Sequence, residues 1–279
     1  MTHVTVAIQG EAGSFSHAAA REALGQDVRL VPCPTFDELF RAVETGDATR
    51  GVVPIENSLA GSVYEAYDAL GAHALHVVGE TQVRVRHCLV VRPGTPLSGI
   101  RRVASHPVAL AQCRRFFVDH PAITAVPAYD TAGSVRDLLA GGSDADAAIG
   151  SALAAQLYGG EILLEGIEDH PENYTRFLVV AREPGPLDGT SKTSLVFLLP
   201  NVPGSLYRAM GAFANRGLDL AKIESRPIMG RPWEYAFYLD VLGDPRGAVA
   251  EALAELASLA RELRVLGAYP ARPARAVPS

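Results

Sequence analysis

The chain has 279 residues, 48% hydrophobic and 20% charged, with a formal net charge of −6; that length supports more than one hydrophobic core, and two domains are expected. Lys192 and Lys222 are its only lysines and the arginines form no basic stripe, so nucleic acid is not an expected partner. Cys33, Cys88 and Cys113 include no CxxC pair, no basic region precedes an N-terminal apolar run, and no apolar stretch approaches the roughly 20 residues of a membrane span; these features argue against a disulfide framework, a zinc site and a membrane partner, and a reduced, cytoplasmic protein is expected.

From the start to residue 182, short β-rich runs alternate with helical patterns, the signature of a parallel α/β sheet. Strands are predicted over 4–9, 28–31, 51–54, 76–78, 87–91, 102–105, 124–127, 147–149, 162–164 and 177–181. A helix is predicted where Phe36, Leu39, Phe40 and Val43 follow a Thr35 cap. Residues 73–92 hold two strands with no helix between them. This reads as the crossing between two lobes, one of about 1–80 plus 167–182 and one of about 81–166. The Pro- and Gly-rich residues 183–190 form the predicted linker. Beyond it, a strand from 193, a helix over 205–216 closed by Gly217, strands over 218–225 and 235–241, a helix over 246–260 and a last strand over 264–269 predict a ferredoxin-like βαββαβ unit over 191–269. Val249, Leu253, Leu256 and Leu263 are assigned to the packed face of its second helix. Such a unit often pairs an exposed sheet edge with a partner chain. The tail, 270–279, is expected to be disordered.

Four segments follow predicted strands and open predicted helices, the position where helix N-terminal amides attract anions. They carry Ser14 and Ser16; Ser58, Gly61 and Ser62; Ser105; and Thr131, Ala132, Gly133 and Ser134. Glu56 and Asn57 place an acid and an amide directly after an apolar strand, able to orient a substrate hydroxyl. Thr175-Arg176-Phe177 sets a hydroxyl beside a guanidinium. Trp233, in a predicted hairpin turn, is assigned a packing role. The eight histidines show no metal-ligand spacing, and the chain lacks a phosphate loop and a full dinucleotide fingerprint, so neither metal nor cofactor is expected.

The motifs Gly10-Glu11-Ala12-Gly13-Ser14-Phe15-Ser16-His17, Val53-Pro54-Ile55-Glu56-Asn57-Ser58, Ser105-His106-Pro107-Val108, Asp130-Thr131-Ala132-Gly133 and Asn173-Tyr174-Thr175-Arg176-Phe177 occur in the order found in prephenate dehydratases. With Asn201-Val202-Pro203-Gly204-Ser205-Leu206 and Glu224-Ser225-Arg226-Pro227, the chain resembles the monofunctional members that carry a C-terminal ACT regulatory domain. The resemblance implies an α/β fold with a two-lobed, periplasmic-binding-protein-like catalytic domain and a ferredoxin-like ACT domain. It implies conversion of prephenate to phenylpyruvate in phenylalanine biosynthesis, with loss of carbon dioxide and the ring hydroxyl. It also implies that Thr175 donates to the leaving hydroxyl, that Arg176 grips a carboxylate with Phe177 beside it, and that Glu56, Asn57, Ser105 and Gln112 complete the polar lining. Phenylalanine is the implied allosteric effector, held by Asn201, Gly204, Ser205, Leu206, Glu224, Ser225 and Arg226 in a homodimer or homotetramer. No fused chorismate mutase is expected. Glu11 and Val108 stand where the family has Pro and Gln. Arogenate dehydratase and a non-catalytic two-lobed carboxylate receptor are the competing readings.

Overall fold

The computed structural model describes residues 4–272. They divide into two compact units. One holds residues up to Val63 together with Thr81–Phe177, the other Tyr64–Glu80 and residues from Leu178 onward. Of the expected tail, 270–279, residues 273–279 lie outside the described residues, while the backbone amides of Ala271 and Arg272 donate to Ser191 Oγ and Glu80 Oε1 at 2.9 and 2.8 Å.

The first unit opens with β1 (Thr5–Gln9), α1 (Phe15–Leu24), β2 (Arg29–Cys33), α2 (Phe36–Thr45), β3 (Arg50–Asn57) and the two-residue β4 (Gly61–Ser62). With β5 (His76–Arg84) and β11 (Tyr174–Ala181), both of which cross the boundary between units, these strands give a sheet in the order β2-β1-β3-β11-β5, β4 pairing with β3. Val6, Ala7 and Ile8 of β1 are fully buried, as a central strand between parallel neighbours requires. The helical spacing predicted in α2 is realised: Phe36, Leu39, Phe40 and Val43 are buried, and the Thr35 hydroxyl accepts from Glu38 N at 3.2 Å.

A second sheet in this unit holds β6 (Cys88–Val91), β7 (Arg102–Ser105), β8 (Thr124–Pro127), β9 (Ala147–Gly150) and β10 (Glu161–Glu165) in the order β10-β6-β9-β7-β8. Its helices are α4 (Pro107–Ala111), α5 (Arg114–Asp119), α6 (Thr131–Leu139) and α7 (Ala152–Tyr158), and α3 (Tyr64–Ala72) belongs to the other unit. The sheet is mixed rather than wholly parallel. β7 is parallel to β8 and β9, but β6 runs antiparallel to β9 and β10.

The second unit carries β12 (Lys192–Leu198), α8 (Ser205–Ala214), β13 (Leu220–Pro227), β14 (Tyr235–Leu242), α9 (Ala248–Leu259) and β15 (Glu262–Tyr269). The strands pair antiparallel in the order β13-β14-β12-β15, so the expected ferredoxin-like βαββαβ arrangement is present. Leu195, Phe197, Phe213, Leu239, Val249 and Leu256 share its core. Leu263 joins them from β15 rather than from the helix. α3 is bound to the same unit by Tyr238 Oη donating to Tyr67 O and by Arg264 donating to the carbonyls of Leu70 and His73. Residues 183–190, read as a linker, lie within this unit.

Candidate active site

The first unit encloses a cavity of about 460 Å³. Three helix N-termini open on it. Ser14 caps α1 by accepting from His17 N at 3.2 Å, Asp130 caps α6 by accepting from Gly133 N at 2.6 Å, and His106 caps α4, its Nδ1 accepting from Val108 N at 3.3 Å. Residues from all three ends line the cavity, so partial positive charge converges there. The loop before α1 is locked by Gly13, at φ +87°, where a Cβ would strike the backbone of Ala154. Ser151 Oγ donates to Gly13 O, and Gly13 N donates to His17 Nδ1.

The remaining wall comes from the ends of β3 and β11. Successive side chains on a strand alternate; Thr175 and Phe177 therefore share a face and line the cavity, and Arg176 does not. Asn57 joins the two strands. Its Oδ1 accepts from the backbone amides of Leu59 (3.1 Å) and Ala60 (2.8 Å), and its Nδ2 donates to Asn173 Oδ1 (2.8 Å) and Thr175 Oγ1 (2.9 Å). Thr175 Oγ1 accepts that bond, leaving its own O–H proton for a ligand. Asn173, fully buried, passes the pattern on through Nδ2 to Gln112 Oε1 at 2.9 Å.

Of the expected catalytic and substrate residues, Ser14, Ser16, Asn57, Gly61, Ser62, Gln112, Thr131, Thr175 and Phe177 line the cavity. The others do not. Arg176 and Glu56 follow strand alternation away from Thr175 and Asn57 and are not among the lining residues. Ser105 is fully buried and donates to Ile149 O at 2.7 Å, pinning β7 to β9. Ser58 donates to Glu172 O and accepts from Tyr174 N, Ala132 is buried, and Gly133 N is committed to Asp130.

Sequence reasoning did not select the cavity residues His87, His106, Tyr129 and Asp130. Burial raises the Asp130 carboxyl above its ordinary value, against the opposing Gly133 amide bond. Glu11, the departure from the family pattern, is matched by Arg136 at 2.7 Å, which also donates to Tyr129 Oη at 2.7 Å. The second departure, Val108, is an exposed residue of the lining. Among the described residues of this wall there is no Lys or Arg.

The second unit has its own cavity, of about 370 Å³, to which Asn201, Gly204, Ser205 and Leu206 contribute as expected. Glu224, Ser225 and Arg226 do not line it. Arg226 is tied instead to both carboxylate oxygens of Asp68 (2.9 and 2.7 Å) and lies 4.4 Å from the Tyr64 ring centroid, and Glu224 lies 3.5 Å from Lys222. Trp233 is 78% exposed and borders this cavity, which overturns its assigned packing role.

Two α/β sheets around a cavity lined by helix N-termini, side-chain amides and a hydroxyl define an enzyme-like site for a small polar anion. Residues 6–185 match the family model described as prephenate dehydratase, and the chain belongs to that family, a family of lyases in aromatic amino-acid biosynthesis. It is 42% identical over 282 residues to arogenate dehydratase/prephenate dehydratase 2, chloroplastic, of Arabidopsis thaliana, covering 96% of this chain and 73% of the relative. It resembles the structure of prephenate dehydratase in complex with L-Phe from Arthrobacter aurescens (37% identity, TM-score 0.88, 95% of this chain and 89% of that one). A quorum-quenching acylase structure is similar to the same degree (37%, TM-score 0.88, 96% and 98%). The expected cytoplasmic location does not stand, because this Arabidopsis relative and another bear names that place them in the chloroplast.

Proposed function

We propose that the cavity of the first unit carries out decarboxylative dehydration of a cyclohexadienol dicarboxylate, prephenate or its amino counterpart arogenate. The observation carrying this reading is the Asn57–Thr175 bond, which leaves a hydroxyl proton directed to a cavity whose anion partners are helix N-termini. As the electrons of the C–carboxylate bond enter the ring, the C–O bond to the ring hydroxyl breaks and the departing oxygen leaves as water. Thr175 donates to that oxygen as its negative charge grows, with solvent the ultimate proton source. The amide of Gln112 adds a second donor, and Phe15, Val63, Val85 and Phe177 keep water from the carboxylate being lost.

Arogenate is the better match in charge. The wall holds one carboxylate, Asp130, and no Lys or Arg among its described residues, so the side-chain ammonium of arogenate gains a partner that the keto oxygen of prephenate does not. Initial rates with both substrates test the reading. Turnover of arogenate with the higher kcat/KM, and a ratio that falls in Asp130→Asn, is the expected result; turnover of neither substrate would remove the dehydratase assignment.

The 191–269 unit is read as an ACT regulatory domain that binds phenylalanine in the second cavity, with 1–182 as the catalytic domain. Gly204, at φ +80°, brings its backbone to that cavity. The edge strand β13, with Ile223 45% exposed, is the surface for pairing with a second copy. Gly204→Val is expected to abolish the response to phenylalanine, and an unchanged response would count against the site.

A further inference from the structure

His87 enters β6, is 2% exposed, and borders the cavity beside Phe15, with which its ring makes an edge contact at 5.6 Å. Its Nε2 lies 2.9 Å from Gln112 Oε1, and its buried Nδ1 has no partner. Which nitrogen carries the proton follows from the network itself. The two backbone amides on Asn57 Oδ1 can only donate, so the Asn57 amide cannot be reversed and its Nδ2 must point to Asn173. Asn173 Oδ1 is then the acceptor, and its Nδ2 the donor to Gln112 Oε1. Gln112 Oε1 cannot donate, so His87 Nε2 must carry hydrogen. The orphan Nδ1 is the bare lone pair of a neutral ring, a cheaper group to leave unpaired than a buried N–H. Burial lowers the His87 pKa, which agrees with a neutral ring.

The consequence falls on Gln112. With Oε1 held by two donors, its Nε2 makes no hydrogen bond to the described residues, and the residue borders the cavity. Without His87, Oε1 keeps one donor and the amide is free to swing.

We propose that His87 is a positioning residue: as the Nε2–H tautomer it fixes the Gln112 carbonyl, so that the Gln112 amide presents its two N–H groups to the substrate. The kinetic part of this inference rests on the dehydratase reading; the tautomer does not. Nitrogen-15 NMR of the full-length protein should show one neutral, Nε2-protonated ring assigned to His87 by its loss in His87→Gln. That ring should lose its hydrogen-bonded signature in Gln112→Ala. A ring protonated at Nδ1, or a cationic one at neutral pH, would overturn the proposal even if no substrate were turned over.

In the kinetic arm, His87→Leu should lower kcat/KM about tenfold, the order expected for one hydrogen bond, chiefly through kcat. His87→Gln, which retains an N–H donor, should restore most of it. Placed in the Gln112→Ala background, His87→Leu should have little further effect. A tenfold loss that persists in that background would show that His87 acts through packing and not through Gln112.

Discussion

Replacing Asn57 by Asp changes one donor into an acceptor with almost no change of shape. The new carboxylate can still accept from the amides of Leu59 and Ala60, which hold the turn. Its other oxygen then stands where Nδ2 now donates to Asn173 Oδ1 and Thr175 Oγ1, at 2.8 and 2.9 Å. Facing an anionic acceptor, the Thr175 hydroxyl turns its proton toward position 57 and away from the cavity. Hydrogen bonds to charged groups contribute about 1.5–3 kcal/mol, so recovering the proton for the leaving oxygen costs that much in the transition state. The corresponding fall in kcat is roughly 10- to 150-fold. The sign with pH is also set: protonating the new carboxyl restores a donor, so the deficit should shrink as pH falls toward about 4. Steady-state kcat and KM of Asn57→Asp and the parent across pH provide the assay. A variant with unaltered kcat, or one whose deficit grows in acid, would refute the assignment of donor and acceptor between Asn57 and Thr175.

Two further outcomes concern stability. Lys192 Nζ donates to both oxygens of Glu80 at 2.7 and 2.9 Å, with both residues buried. Glu80→Ala leaves that ammonium uncompensated and should cost about 3–5 kcal/mol in urea unfolding, while Glu80→Leu combined with Lys192→Met should recover most of it; equal losses in the single and double variants would contradict this. Burial, the leading cause in each case, lowers the pKa values of His17 and His87 below 6.5. Below that pH the unfolded chain binds protons that the folded chain does not, so stability should fall as pH drops through 6.5 toward the lowered folded values. Urea midpoints between about pH 7.5 and 5.5 read this, and a midpoint that rises in acid would contradict it.

Local chemistry wrote most of the fold openly in the sequence. The spacing of Phe36, Leu39, Phe40 and Val43, the cap at Thr35 and the β-branched runs place most helices and strands to within a few residues, and 124–127 coincides with β8, but β5 runs to Arg84, six residues beyond the end predicted at 78. β4 escaped because two residues carry no period. Alternation along β11 sets Arg176 opposite Thr175 and Phe177, but the strand was predicted only from 177, three residues after β11 begins at Tyr174, so that alternation was not read. His87 gave no local signal, since its meaning lies in Gln112, 25 residues away in sequence. Arg226 likewise finds Asp68 158 residues away. Such pairings depend on which strands lie side by side, and no nearby residue encodes that.

The hydroxyl of Thr175 is the group on which the proposed chemistry depends most. The direct test is steady-state turnover of arogenate and prephenate by Thr175→Ala against the parent protein. The expected result is a fall in kcat of roughly 10²-fold or more with little change in KM, the pattern of an interaction made only in the transition state. A raised KM with kcat intact would contradict it and reduce Thr175 to a binding contact.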